Sequence, residues 1–280
     1  MKLQNETAIV TGATSGIGKK IAEHFLNEGC KVAICSRNEE NVTNTVEELK
    51  GKFGNAIVGF PCDVADASSV KSFVDTIAKT FGSIRILVAN AGIAGLYGPF
   101  VKIPYDQLGQ NMDLVLGTIL RGTLNSIAAV LPYMIQQKYG RIVTLSGGGA
   151  GRPLTHMTTY SAAKGGVLAF SKCLALELTE QSEDIKLNIF QPGMIRTGLT
   201  TKAAIVPGWM DAENIQKETD LVLQYLGGNI TEATRKVIPF VLPSCKANGK
   251  VILGFSLLKL IRGAMKLKKL QKQSMKSLKD

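Results

Sequence analysis

Thr7-Ala8-Ile9-Val10-Thr11-Gly12-Ala13-Thr14-Ser15-Gly16-Ile17-Gly18 is the stretch whose reading decides the fold. Ala8, Ile9 and Val10 form the short apolar run of a parallel strand covered on both faces, and a helix start follows at once. Gly12, Gly16 and Gly18 meet three needs: a tight turn, close approach of backbone to a pyrophosphate, and close packing of helix on strand. Thr14 and Ser15 stand where side chains cap a helix, whose free N–H groups and positive dipole end attract an anion. The spacing is G-x-x-x-G-x-G and not G-x-G-x-x-G, so the common dinucleotide fingerprint is matched only approximately. A plain structural turn is the alternative.

Outward from this unit, strand and helix signals alternate. A helix is expected over 16–27, stopped by Gly29, then a strand over 31–35, a polar helix over 38–50 and a strand over 56–60. Cys62-Asp63-Val64 sits at the carboxyl end of that third strand. An amphipathic helix over 67–79 leads to an apolar strand over 84–88, which ends at Asn90-Ala91-Gly92. Residues 105–137 read as mostly helical, 141–145 as the fifth strand, 160–179 as a helix with a small-residue face, 186–190 as the sixth strand and 250–255 as the last. Such alternation predicts an α/β fold, a doubly wound parallel sheet with right-handed crossovers and a ligand crevice at the carboxyl ends of its strands. Residues 194–228, with Trp209, Met210, Leu221, Leu223 and Tyr225, are too many for a simple connection, and read as a helical lid or as ordinary surface helices.

The 280 residues contain no internal repeat or Pro/Ser-rich linker, so one domain over 1–255 with a tail over 256–280 is expected. Cys30, Cys35, Cys62, Cys173 and Cys245 are odd in number and lack C-x-x-C spacing, which argues against a disulfide framework or a metal site and for a reducing cytoplasm. Residues 1–6 are polar, without a signal peptide, and no apolar run of membrane-spanning length is expected. Of the net charge of +11, the eight Lys and Arg from Lys259 onward against Asp280 account for +7, leaving +4 for the rest. No zinc-finger spacing, aromatic RNA-binding motif or recognition helix accompanies the charge, so no nucleic-acid partner is expected. The tail itself reads as an amphipathic helix, with Leu257, Leu260, Ile261, Ala264 and Leu267 on one face amid Lys259, Arg262, Lys266, Lys268 and Lys269. Docking on a neighbouring subunit is the preferred reading, and contact with an anionic membrane the other.

Five ordered motifs resemble the short-chain dehydrogenase/reductase family of the single-domain type. They are Thr11-Gly12 through Gly18, Asp63 after the third strand, Asn90-Ala91-Gly92, Tyr160-Ser161-Ala162-Ala163-Lys164, and Pro192-Gly193 to Thr197, and the likeness runs to about Phe255. The resemblance implies a Rossmann-type fold, an NAD or NADP cofactor, exchange between a carbonyl and an alcohol without metal, and a homodimer or homotetramer. Chemistry explains one motif independently: residues four apart on a helix face the same way, and an ammonium near Tyr160 stabilises its phenolate. Tyr160 is therefore the candidate general acid/base. By resemblance, Lys164 also binds the nicotinamide ribose and Asp63-Val64 contacts adenine. Gly12 to Gly18 (with Thr14, Ser15, Gly16 and Ile17) and Asn90 to Gly92 line the cofactor, and Pro192, Gly193, Ile195 and Thr197 approach its carboxamide and phosphates.

Cofactor preference is read at the end of the second strand. A site for NAD usually places a carboxylate there, whereas this chain has Cys35-Ser36-Arg37, so that Ser36 and Arg37 suit a ribose phosphate and NADP(H) is expected over NAD(H). Three positions depart from the family. Its serine, thirteen residues before the tyrosine, is here Gly147, with Ser146 one place off and able to substitute only if the loop shifts register. Its relay asparagine is Ile119, and the first asparagine of N-N-A-G is Ala89. These departures keep open a nucleotide-binding regulatory protein with weak turnover, or an isomerase or dehydratase of the same family. His24 is expected on the first helix with no ligand role, and His156 just before Tyr160, where substrate contact is one reading among several.

Overall fold

The computed structural model describes residues 1–151, 154–201 and 203–277, with side chains except at 268 and 271–277. Lys202 in the expected lid, the side chain of Lys268 and the end of the tail thus lie outside the described residues. In chain order the elements are β1 (Thr7–Thr11), α1 (Gly16–Asn27), β2 (Lys31–Ser36), α2 (Glu39–Phe53), β3 (Ile57–Pro61), α3 (Ala67–Phe81) and β4 (Ile86–Ala89). There follow β5 (Leu96–Tyr97), α4 (Tyr105–Leu116), α5 (Gly122–Gln136), β6 (Tyr139–Leu145), α6 (Thr158–Glu177) and β7 (Asp184–Gln191). The chain closes with α7 (Gly198–Thr201), β8 (Ala204–Ile205), α8 (Ala212–Leu226), α9 (Ile230–Arg235), α10 (Ile238–Val241), β9 (Val251–Leu253) and α11 (Leu257–Ser277).

Seven strands form one parallel sheet in the order β3-β2-β1-β4-β6-β7-β9. All five residues of β1 are buried, as a strand covered on both faces must be. Side chains alternate between two cores. Ala8 and Val10 join Ile21, Phe25, Val32 and Val237 on one side, while Ile9 joins Val74, Ile77, Leu87, Ile127 and Leu187 on the other. Helix ends are set locally: Asn38, Asp66 and Asp211 accept hydrogen bonds from the first-turn N–H groups of α2, α3 and α8, and Gly82 ends α3 in the left-handed conformation. His24 is buried and bonds Thr231 and Thr234, tying α1 to α9, and burial lowers its pKa.

One expectation is corrected. The helical run Tyr105–Gln136 contains an 18-residue window that is long and apolar enough to cross a membrane by length and composition, with mean hydropathy 1.6, although half of that window is buried within the protein. The tail is helical, and its apolar residues are unequally covered: Leu260 and Leu267 are half-buried, whereas Leu257, Ile261 and Ala264 are exposed.

Candidate active site

The order of the sheet reverses between β1 and β4, and the loops leaving the carboxyl ends of β1, β2, β3, β4, β6 and β7 surround a cavity of about 780 Å³. A crevice at such a switch point is where open α/β sheets bind ligands. The glycine turn after β1 forms its floor. Gly12 and Gly16 have φ of 62° and 55°, and a Cβ at Gly12 would stand 2.7 Å from Ala91 Cα. A Cβ at Gly18 would stand 2.3 Å from Asn90 Nδ2, so that residue serves close packing and does not line the cavity. The expected side-chain cap is not formed. Ser15 occupies the N-cap position without a cap hydrogen bond, which leaves the first N–H groups of α1 facing the cavity for an anion.

Asn90 braces this floor. Its amide donates to the carbonyls of Thr11 (2.8 Å) and Gly12 (2.9 Å), while Thr11 Oγ1 accepts from the N–H groups of Asn90 and Ala91. Asp63 also turns inward to the backbone, accepting from Ala65 N at 3.0 Å, and only its neighbours Cys62 and Val64 line the cavity. Ser36 and the exposed Arg37 edge the cavity beyond β2, and Arg37 has no ion-pair partner among the described residues. Thr14, Ile17, Ala91, Gly92, Pro192, Gly193, Ile195 and Thr197 all line the same space.

Tyr160 and Lys164 meet at the other end of this cavity, one turn apart on α6. Lys164 is buried and its Nζ donates to Leu145 O at 2.8 Å, while Nζ lies 5.8 Å from the Tyr160 ring centroid. Burial pushes the Tyr160 phenol up to about 12 and the Lys164 ammonium down to about 8. Burial thus acts against the phenolate that the lysine was expected to stabilise, and holds the Tyr160 phenol in its neutral form.

The register of β6 does not shift to present Ser146. Ser146 N continues the ladder to Phe190 O at 3.0 Å, and its Oγ is buried without a hydrogen-bond partner, so it is not bonded to Tyr160. Gly147 faces the phenol instead: a Cβ there would lie 3.1 Å from Tyr160 Oη. Gly149, with φ of 93°, lets the loop press on α6, since its Cβ would meet Ser161 Oγ at 2.3 Å. Ile119 sits in a π-helical turn, Gly117–Arg121, and packs fully buried with Val115, Ala163, Val167 and Tyr160. π-Helical turns are frequent at functional sites, but the side chain filling this one is apolar.

Two parts were not read from sequence. Asn111 is buried on α4, accepting from Leu96 N (2.8 Å) and donating to Thr159 Oγ1 (3.3 Å), and so joins β5 to the start of α6. Its signal was available: Asn111 lies four and eight residues before Val115 and Ile119, on the apolar side of the helix. The second is a clasp over the crevice. β5 pairs with β8, and Tyr97, His156 and Trp209 stack with centroids 4.5 to 5.9 Å apart. His156 adopts φ of 66° and its carbonyl accepts from Gly98 N. Of the expected lid, Ile195, Thr197 to Thr200, Ala203 and Ala204 line the cavity, whereas α8 packs against α7 and α11.

The glycine floor, with no room for a Cβ at Gly12, and the open N-terminus of α1 fit the pyrophosphate of a dinucleotide, and Lys164 fits its second ribose. Comparison with known proteins agrees. The family model for short chain dehydrogenases matches residues 6–205. An uncharacterized oxidoreductase of Bacillus subtilis, YxbG, is 36% identical over 203 residues, covering 72% of this chain and 71% of that protein. The 3-oxoacyl-[acyl-carrier-protein] reductase FabG of Thermotoga maritima is 33% identical over 204 residues, covering 72% and 79%. Among solved structures, an actinorhodin polyketide ketoreductase with NADPH superposes with a TM-score of 0.76 at 29% identity, covering 89% of this chain and 95% of that one. The chain belongs to the short-chain dehydrogenase family, as an oxidoreductase acting between CH–OH and C=O with a nicotinamide cofactor.

Proposed function

We propose that the protein is an NADP(H)-dependent reductase of a small or medium-sized organic carbonyl, with Tyr160 as general acid. The observation that carries this reading is a phenol held neutral, beside a buried lysine, in the same cavity as the glycine turn. When bound, the reduced nicotinamide supplies a hydride to the carbonyl carbon. Tyr160 Oη gives its proton to the carbonyl oxygen as negative charge develops there, and in the reverse direction takes the proton of the alcohol. Lys164 spends one N–H on Leu145 O, which leaves two donors for ribose hydroxyls and fixes the ammonium near the phenol. Asn111 and Gly149 hold the start of α6, and thereby Tyr160, against the β5 loop and the loop after β6.

The preference for NADP(H) rests on Arg37, an exposed guanidinium at the cavity edge beside Ser36, which stands where NAD sites carry an acid. Arg37→Ala is expected to weaken NADPH roughly tenfold or more, a charge-assisted contact of about 1.5 to 3 kcal/mol, while NADH changes little. Equal loss for both cofactors in a fluorescence titration would remove the phosphate assignment. Tyr160→Phe is expected to keep NADPH affinity and lower carbonyl turnover by roughly 10² to 10⁴. Wild-type turnover in that variant defeats the proton-donor role. Gly147 and Ile119 favour a second reading, a cofactor-binding protein with weak turnover; NADPH binding without oxidation across a broad panel of ketones and aldehydes would support it.

A further inference from the structure

α11 uses only one side to dock on the rest of the chain. Gly263 comes so close to α8 that a Cβ there would stand 2.2 Å from Tyr225 O, and Leu260 and Leu267, on the same side, are half-buried. A separate apolar stripe is left in solvent. Leu257, Ile261 and Met265, spaced four apart, are 53%, 54% and 60% exposed, and Leu258 beside them is 69% exposed. Lys259, Arg262, Lys266 and Lys269 follow at the spacing of a single helix side, between the stripe and the side that docks on α8, and all four are exposed. Between residues 257 and 277 there are seven Lys or Arg and no Asp or Glu.

We propose that this outer face of α11 is a membrane-surface element, lying in the plane of an anionic bilayer with its apolar stripe at the headgroup–acyl boundary and its cationic row on lipid phosphates. An amphipathic helix with Lys and Arg flanking a bulky apolar stripe binds such a surface by both terms at once, buried apolar area and attraction to anionic headgroups. A second copy of the chain fits the face less well. Stripe-to-stripe pairing would set two cationic helices side by side, with no acid on either to offset them. The inference does not depend on the cofactor or on the reaction.

Flotation of the full chain with vesicles tests it, using phosphatidylcholine alone and phosphatidylcholine with phosphatidylglycerol. Binding is expected only to the second, and to weaken as salt rises. Lys259→Ala with Lys266→Ala should lower partitioning roughly thirtyfold, at about fivefold for each cation. Ile261→Asp should lower it by about tenfold or more, since an apolar group leaves the boundary and an acid enters it. All three positions are exposed, so thermal melting and NADPH binding should stay as in the unaltered protein. Equal flotation with both vesicles overturns the proposal, as does binding that ignores Ile261→Asp. Absence of flotation overturns it too, and a change of Ile261→Asp to a smaller species in solution would then assign the stripe to a second copy.

Discussion

Gly147 is the residue on which the efficiency of the proposed chemistry turns. Its backbone places any side chain at the Tyr160 hydroxyl, with a Cβ at 3.1 Å, so the position has the geometry of a carbonyl-polarising donor and lacks the donor. Gly147→Ser is expected to raise kcat on a carbonyl substrate about tenfold, a part of what a single oriented donor contributes in other sites, with cofactor affinity unchanged. Tyr160 must yield by a few tenths of an ångström, and the phenol end of a partly exposed ring can do so. A steady-state rate that falls or holds would show that polarisation comes from elsewhere. Sequence spacing identified the mismatch but offered Ser146 as its remedy, because a one-residue shift costs nothing on paper. In the folded chain the ladder bond from Ser146 N to Phe190 O fixes the register, and a serine whose Oγ has no partner is the result.

Strands and helices differ in how openly the chain announces them. β1, β2 and β4 were legible because parallel strands covered on both faces must be continuous apolar runs, and a site loop follows each of them. β5 and β8, two residues each, carry no periodicity at all and exist because they find each other. With them went the clasp: nothing in the order of residues says that Tyr97, His156 and Trp209, more than fifty apart, stack together. Gly98 supports the arrangement by close approach, since a Cβ there would meet Val206 Cγ2 at 2.5 Å. Trp209→Ala removes two of the three ring contacts, at about 0.5 to 1.5 kcal/mol each, which is enough to loosen residues 204–211 without unfolding the sheet. The expected result is a higher KM for the carbonyl substrate, faster proteolytic nicking in that segment and an unchanged Kd for NADPH. A Kd that rises in step with KM would mean that the segment also holds the cofactor.

For the molecule as a whole, alternation of element types was enough to give the layers, and the five motifs enough to give the family, but the order of strands was not written in either. That order has a kinetic meaning. β1, β2 and β3 are neighbours in sequence and in space, so the strands beside the glycine turn pair by short loop closures, while Asn90, which braces that turn, arrives with β4. Tyr160 and Lys164 follow β6, which reaches β1 only through its pairing with β4. Contacts of such sequence separation close slowly, because the entropy of the intervening chain is lost before the contact is made. The pair proposed to carry the chemistry is thus expected to assemble late on the folding route, so that in a refolding time course activity should return after secondary structure.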